Sequence, residues 1–431
     1  MHPGVNDRTP ITDTMTLLHK HLVNTSQTDI AIIGAGPAGL AAAAACAKKG
    51  LDVTVFSPDE HPAWPNQYAA WVDEVRALDL DQTLAQTWSS VAVWTEEDAP
   101  TVLKRAYGVF DNARLRDHLL AHLNEGHWVA ARVTALEHGP TGSRLELSNG
   151  ETWQAGLVID ATGTGQWLER SGPEPSAFQT AYGIQARVEE WRGPADQASF
   201  MDYRDPGPKA PPLPGPGASF LYALPRDKEE VFLEETVLIG NPAVPIELLK
   251  QRLFARLSAQ GIQIREVLHE ERCRIPMDLA LPEMPQQTVG FGAAAGWIHP
   301  ATGYSVVTSL QKAPLLAQAL HQNRTSPGAR AAAAWAAIWS PAERTCHDLY
   351  RFGGLSAVSF NTHQTRDFLR AFFALPTAQW SDYLGRQLTP WALRWTMLGL
   401  YGRTSRSVRR QLHRTVREHA ASLAPPWRQR P

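Results

Sequence analysis

Cysteine is scarce: Cys46, Cys273 and Cys346 are the only three in 431 residues, far apart and without a CxxC spacing. Their scarcity excludes a disulfide framework and a cysteine-spaced zinc site, and it points to a reducing compartment; no metal is expected. Long apolar runs are missing as well. No stretch reaches the roughly 18 uninterrupted apolar residues of a spanning helix, and the alanine-rich run near residue 40 is short and opens on Gly36-Pro37. The opening MHPGVNDRTPITDTMTLLHKHLVNTSQTD is polar and lacks an apolar h-region, so residues 1–28 read as a loose leader and not as a signal peptide or anchor. Excess charge of one sign is absent: 41 basic and 43 acidic residues leave a net charge of −2, with no long basic run before the C-terminus. That balance argues against a chain built to hold nucleic acid. The expectation is a cytoplasmic protein, soluble or peripheral at the membrane. At 431 residues one core is not enough, and two or three domains are expected.

What is present begins at DIAIIGAGPAGLAAAAACAKKGLDVTVF, residues 29–56, which alternates apolar strand, glycine turn, small-residue helix and second apolar strand. This βαβ unit carries GxGxxG on Gly34, Gly36 and Gly39. The first glycine permits the turn, the second lets the backbone approach a pyrophosphate, and the third lets helix and strand pack closely. The helix that opens at Pro37 and Ala38 offers its first amides to the phosphates. The acid expected at the end of the second strand is missing: Ser57 stands there, with Asp59 and Glu60 beyond. Ser57 and Arg114 are taken as further cofactor-side residues. The GPAG form of the loop resembles flavoproteins more than NAD dehydrogenases, so FAD is the expected dinucleotide.

Two later segments extend this. GLVIDATGTG, residues 156–165, is an apolar strand ending in a glycine turn at Gly163, where two-dinucleotide flavoproteins return to the cofactor. VGFGAAAGWIHPATGYSV, residues 289–306, resembles the late flavin-contacting segment GDAAGxxxPxxGxG of the aromatic hydroxylase and geranylgeranyl reductase superfamily. Gly292, Gly296, Pro300, Thr302 and Gly303 fit, while Ala293 replaces the superfamily's aspartate.

Further motifs narrow the resemblance. HPAWPNQYAAWVDEV at 61–75, FQTAYGIQARV at 178–188, SFMDYRD, SFLYALP, FLEET at 232–236, ERCRIPM at 271–277 and GAAAGWIHPATGY together resemble the flavin-dependent lycopene cyclases of cyanobacteria, plants and pigmented bacteria, from about residue 29 to about residue 385. Departures are Ala69 and Ala70 after Tyr68, and Asp278 and Leu279 after IPM. The resemblance implies an enzyme that binds FAD, keeps it reduced with NADPH or NADH, and closes a β-ionone ring at an acyclic carotenoid end without net redox change. The resemblance further implies an intramolecular lyase or isomerase, with γ-carotene or β-carotene as product.

Such a reaction protonates an alkene at C2, closes the ring, and loses a proton from C6. An alkene is a poor base, so the acid must be neutral, close and shielded; a carboxyl in an apolar pocket meets that need. VFLEETVLIG, residues 231–240, places two acids in an apolar strand. Side chains alternate, so Glu234 and Glu235 face opposite sides. Both are carried over from the resemblance, Glu234 being the better choice for the acid. His299, in the HPxTGY motif, is a third catalytic residue, able to relay a proton or bond the flavin. Trp64, Tyr68, Trp71, Trp297 and Tyr304 are expected to line the substrate pocket and stabilise a cation, with Asp73 and Glu74 shaping it.

The expected fold is α/β. A discontinuous Rossmann-type FAD-binding domain (29–175 and 276–325) accepts an inserted antiparallel substrate sheet (176–275), followed by a C-terminal helical region with a basic tail (326–431). The tail's arginines and Val408, Leu412 and Val416 at helical spacing suit either an amphipathic helix on anionic lipid or a basic helix packed on its own domain. Rival readings are a true oxidoreductase of the same superfamily, such as a prenyl reductase or monooxygenase, and a non-catalytic flavin or carotenoid binder.

Overall fold

The computed structural model of the chain describes residues 26–59, 63–96, 98–123, 128–205, 213–215 and 217–418. Residues 1–25 of the expected leader, Glu60, part of the proline-rich segment after Asp205 and the last residues of the tail lie outside them.

Two seven-stranded sheets and a small third sheet carry the molecule. The first consists of β1 (Ser26–Ile33), β2 (Val53–Ser57), β8 (Trp128–Ala130), β9 (Val133–Gly139), β10 (Gly142–Leu147), β11 (Thr152–Asp160) and β17 (Thr288–Gly290). Its order is β8, β2, β1, β11, β10, β9, with β17 parallel to the C-terminal half of β11. β1 runs parallel to β2 and β11. Buried on both faces, β2 reads VTVFS without alternation, as a central parallel strand should. α1 (Pro37–Lys48), α5 (Val306–Gln322) and α6 (Pro327–Ile338) cover this sheet, and their alanines and leucines join Ile30, Ile32, Val53, Val55 and Ile159 in one core. The expected dinucleotide frame is therefore present, and β17 and α5 are its return.

The second sheet consists of β5 (Ser90–Trp94), β6 (Thr101–Leu103), β12 (Phe178–Val188), β13 (Gln197–Asp202), β14 (Phe220–Pro225), β15 (Glu230–Gly240) and β16 (Ile264–Pro276), in the order β16, β12, β15, β14, β13, β5, β6. The sequence division put residues 29–175 wholly with the cofactor frame, yet β5 and β6 belong to the second sheet, where β5 pairs parallel with β13. Two short apolar runs carry no mark of which sheet they will extend, since that pairing is non-local. The third sheet joins β3 (Ala69–Trp71), β7 (Tyr107–Phe110) and β4 (Leu84–Trp88). α2 (Val72–Arg76) and α3 (Asn112–Leu120) flank it.

On one face of the second sheet lies α4 (Ile246–Ala259), whose Leu249, Leu253 and Leu257 pack on Ile184, Leu233 and Val237. Over the other face lie the C-terminal helices α7 (Pro341–Val358), α8 (Thr362–Phe373), α9 (Thr377–Leu384) and α10 (Pro390–Arg403), while α11 (Arg406–Glu418) packs on α7 and α8 with Val408 buried. Several of these starts are written in the sequence. Ser326-Pro327, Ser340-Pro341 and Thr389-Pro390 each place a capping hydroxyl before a proline at the first helical position. α7 and α8 add full capping boxes through Glu343 and Gln364. No helix among the described residues is long and apolar enough to cross a membrane.

Candidate active site

The glycine turn after β1 is built for a dinucleotide. A Cβ on Gly39 would lie 2.0 Å from the Gly34 carbonyl oxygen, and one on Gly34, at φ +107°, would lie 2.7 Å from that of Ala161, so neither position admits a side chain. A Cβ on Gly36 would meet nothing within 4 Å. Gly36 is also the N-cap of α1, makes no side-chain cap, and is followed by a first turn without acids. Free amides thus point into open space beside small residues, the arrangement a diphosphate requires.

Two further loops close on this cradle. Asp160 at the end of β11 is fully buried and accepts hydrogen bonds from the amides of Thr162 (2.9 Å) and Trp167 (2.8 Å), fixing the turn at Gly163. Gly292, at φ +69°, lies so close to Ala38 that an added Cβ would come within 2.4 Å of it. Arg170 donates to the carbonyls of Ala280 and Ala294, tying down the Gly292–Ala295 turn. Gly296 is left-handed at φ +84°. Trp64 donates to the Ala35 carbonyl at 3.0 Å, so it braces the glycine loop. Ser57 is buried at the tip of β2. Arg114 stands on α3, whose Asn112 donates to the carbonyl of the same Trp64 that braces the glycine loop; its largely exposed side chain pairs with Asp111 at 3.2 Å. The Ser57, Gly34–Gly39, Gly163 and Gly292–Gly296 segments fit FAD.

Between this cradle and the second sheet opens a cavity of about 440 Å³, lined by Gly163, Ala293, Thr302 and Gly303 on the cradle side and by Glu234, Thr236, Glu271 and Cys273 on the sheet side. Its remaining wall is mostly apolar and aromatic, with Tyr68, Tyr107, Tyr222 and Tyr304. Strand alternation sorts β15: Phe232, Glu234, Thr236 and Leu238 face the cavity, while Leu233 and Val237 face α4.

Glu234 is half-buried, and what it exposes it exposes to the cavity. Burial, reinforced by the nearby Glu271 carboxyl, pushes its pKa from 4.5 to about 8, against a 2.5 Å hydrogen bond from Thr236 Oγ1. At neutral pH it holds a proton. Glu235 has a different fate. On the α4 side, with no exposure, it accepts from Arg256 Nε at 2.8 Å, Arg256 Nη2 at 2.9 Å and Ser219 Oγ at 2.6 Å. It lies outside the cavity, and the expectation of a catalytic Glu235 gives way to a buried ion pair that fastens α4 to β15.

His299 lines the cavity but is committed. Its Nε2 donates to the Tyr383 carbonyl at 3.1 Å and its Nδ1 accepts the Ala301 amide at 3.1 Å, which fixes one neutral tautomer. Burial and the Arg386 charge drive its pKa down to about 3. No ring nitrogen is left to relay a proton, so His299 shapes the turn that carries Thr302, Gly303 and Tyr304. Pro300 packs its carbonyl against Gly354 of α7.

Of the expected pocket residues, Tyr68, Glu74 and Tyr304 line the cavity. Trp71 is core, edge-to-face with Tyr107 at 5.0 Å and with the Arg105 guanidinium 4.7 Å from its ring centre. Trp297 is buried against Phe291 at 4.8 Å. Asp73 and Glu74 share Arg105, Asp73 at the surface and Glu74 inside, where burial pushes its carboxyl upward. Tyr107, Tyr222, Glu271 and Cys273 escaped the sequence reading. Tyr222 donates to Tyr107 at 2.9 Å, and Tyr107 shares a 2.5 Å bond with Tyr304. The visible signal was alternation in ERCRIPM, which sends Glu271, Cys273 and Ile275 to one face. Asp278, one of the departures noted, accepts from the Ser176 and Ala177 amides at 3.1 Å and anchors the start of β12.

Residues 29–409 match the family model described as "Lycopene cyclase protein". The chain belongs to the lycopene cyclase family. The lycopene beta cyclase of Synechococcus elongatus is 35% identical over 393 residues, covering 88% of this chain and 94% of that protein. Among solved structures, a geranylgeranyl bacteriochlorophyll reductase-like protein of Thermoplasma acidophilum has the same fold, with a TM-score of 0.65 at 16% identity over 93% of this chain and 100% of that one. Klebsiella pneumoniae HpxO complexed with FAD follows, with a TM-score of 0.54 at 15% identity over 86% and 99%. Ala69 and Ala70 line the cavity, and Asp278 lies beside β12.

Proposed function

We propose that the protein closes a ring at the acyclic end of lycopene or a related carotenoid by proton transfer from Glu234, in the presence of reduced FAD supplied with electrons by NADPH or NADH. One observation carries the reading: a protonated carboxyl, Glu234, faces an apolar, aromatic-lined cavity that opens onto the dinucleotide cradle. Family membership gives the substrate class, and the solved structure with FAD supports the cofactor.

FAD bound in the cradle and reduced would supply an electron-rich ring beside the developing cation. The chain's own residues do the rest. Glu234 delivers a proton to C2 of the terminal double bond, the neighbouring double bond closes the ring onto C1, and the positive charge moves to C5. Tyr107, Tyr222 and Tyr304 bond their hydroxyls to one another and line the cavity with aromatic rings suited to a developing cation. The apolar wall excludes water that would otherwise capture the cation.

The test is anaerobic incubation of purified protein with lycopene in liposomes, FAD and NADPH, following product mass and NADPH together. Unchanged mass with far less than one NADPH per turnover is expected. A gain of two hydrogens with matching NADPH loss would make the protein a reductase, and bound flavin without turnover would make it a binder.

The same reading places the protein on a membrane surface. Trp391, Trp395 and Leu398 are 67%, 57% and 59% exposed on one face of α10, and the arginine-rich α11 follows directly. Aromatic residues beside cations suit the interface of an anionic bilayer, where the substrate is dissolved.

A further inference from the structure

Ring closure needs a base as well as an acid, and none of FLEET's residues supplies one. Across the second sheet, Gly183 of β12 pairs with Glu234 of β15 on one side and with Glu271 of β16 on the other. All three positions point to the cavity face, and Gly183 has no side chain to separate the two acids. A Cβ there would strike Phe232 at 2.7 Å and approach the Glu234 Cβ at 3.3 Å. The Glu234 and Glu271 carboxyls therefore come within 4.8 Å of each other across a glycine gap, in company with the Cys273 thiol.

Their surroundings differ. Glu271 accepts the Gln67 amide at 2.9 Å and the Cys273 thiol at 3.1 Å, donors that favour a carboxylate. Glu234 accepts only from Thr236 among the hydrogen bonds of the described residues. Two carboxyls in unequal environments divide into an acid and a base. The pair is faced by Cys273 and His269 on β16, Tyr222 on β14, Tyr107 on β7, Glu74 on α2, Tyr68 before β3, and His299, Tyr304 and Arg386 across the cavity. Burial pushes the Cys273 thiol and both carboxyls toward their protonated forms, which favours holding protons over holding a cation.

We propose that Glu271 is the base of the ring closure, receiving the proton that C6 loses and returning it to Glu234. This rests on the cyclase reading above. The O–H bond of Glu234 breaks as C2–H forms; the C5=C6 electrons form C1–C6; the C6–H bond then breaks, its electrons restoring C5=C6, and its proton goes to Glu271. Transfer from Glu271 to Glu234 across the glycine gap resets the pair, so no net proton, electron or water is consumed. C2 and C6 are separated by a single ring atom, and two carboxyls this close can flank both.

The experiment compares wild type, Glu271→Gln, Glu271→Asp and Glu234→Gln, each first checked for folding and bound flavin. Two readouts are used: the infrared titration of the protonated carboxyl and the ring products formed from lycopene. In Glu271→Gln the neighbouring negative charge is gone, so the Glu234 midpoint should fall from near 8. The rate should fall about 10²- to 10⁴-fold, with residual product diverted to double-bond isomers of the ring or to the water-trapped alcohol. Glu271→Asp should recover part of the rate and the wild-type ring. A folded Glu271→Gln with near wild-type rate and product overturns the inference, as does a slow one whose product and Glu234 midpoint are unchanged. If Glu234→Gln is itself active, the acid assignment has failed, separately from the base.

Discussion

Glu234 and Glu235 are adjacent in sequence and opposite in chemistry, because one faces an apolar cavity and the other a guanidinium. Glu234→Gln keeps the shape and removes the proton, so cyclisation should fall about 10²- to 10⁴-fold. Wild-type activity should be lost as pH rises through about 8, where Glu234 ionises. Stability follows the same group. The folded chain keeps a proton that the unfolded chain releases near 4.5, so this contribution is full below 4.5 and is lost as pH rises to about 8. The Tm of Glu234→Gln should therefore gain on wild type between those limits; a pH-independent difference would refute the raised carboxyl. His299 acts in the other direction, since its neutral ring favours the fold above about 6.5 and loses that contribution as pH falls toward 3. For Glu235, removing one partner of a buried pair leaves Arg256 uncompensated and should cost about 3–5 kcal/mol. Glu235→Leu with Arg256→Met should restore most of that stability in denaturant unfolding and retain cyclase activity. Loss of activity in a stable double variant would return Glu235 to the mechanism.

At the scale of elements, the β1–α1 turn separates two uses of glycine that one motif conflates. Gly39 is needed because the strand approaches the helix, and Gly36 because a ligand does. Gly39→Ala drives a Cβ into the Gly34 carbonyl and should prevent folding or sharply lower Tm. At Gly36 an added Cβ meets no protein atom within 4 Å and φ is an ordinary −69°, so Gly36→Ala should barely move the unliganded Tm while flavin binding, read by absorbance and dialysis, falls sharply. Equal behaviour of the two variants would contradict the cradle. The elements themselves were largely legible: apolar strands around a glycine turn, and Ser-Pro and Thr-Pro helix starts, depend on contacts within a few residues. Membership of a sheet was less so, as β5 and β6 show, because β5 joins the second sheet through β13, about a hundred residues away, and β6 follows by pairing with β5.

Over the whole molecule, the cavity is a joint between two sheets and a helical cap, so a hydrophobic substrate must enter from outside all three. The exposed Trp391, Trp395 and Leu398 on α10 lie on the cap side. Replacing all three by serine should leave Tm close to wild type, since Leu393 and Leu400 on the opposite face carry the packing. Flotation with anionic vesicles should then fall severalfold, and cyclisation of liposomal lycopene should fall with it while activity on detergent-dispersed lycopene persists. Unchanged flotation would place membrane contact elsewhere.

The sequence by itself determined the dinucleotide frame, the family motifs and the fact that one FLEET glutamate must face away from the other, since strand alternation and glycine turns are local properties of the chain. Only the tertiary structure decided that Glu234 takes the cavity, that Glu235 is bound to Arg256, that both nitrogens of His299 are occupied, and that Glu271 stands across Gly183 from the acid. Those outcomes depend on strand register and on which helix covers which face, and both are set by packing between segments distant in sequence.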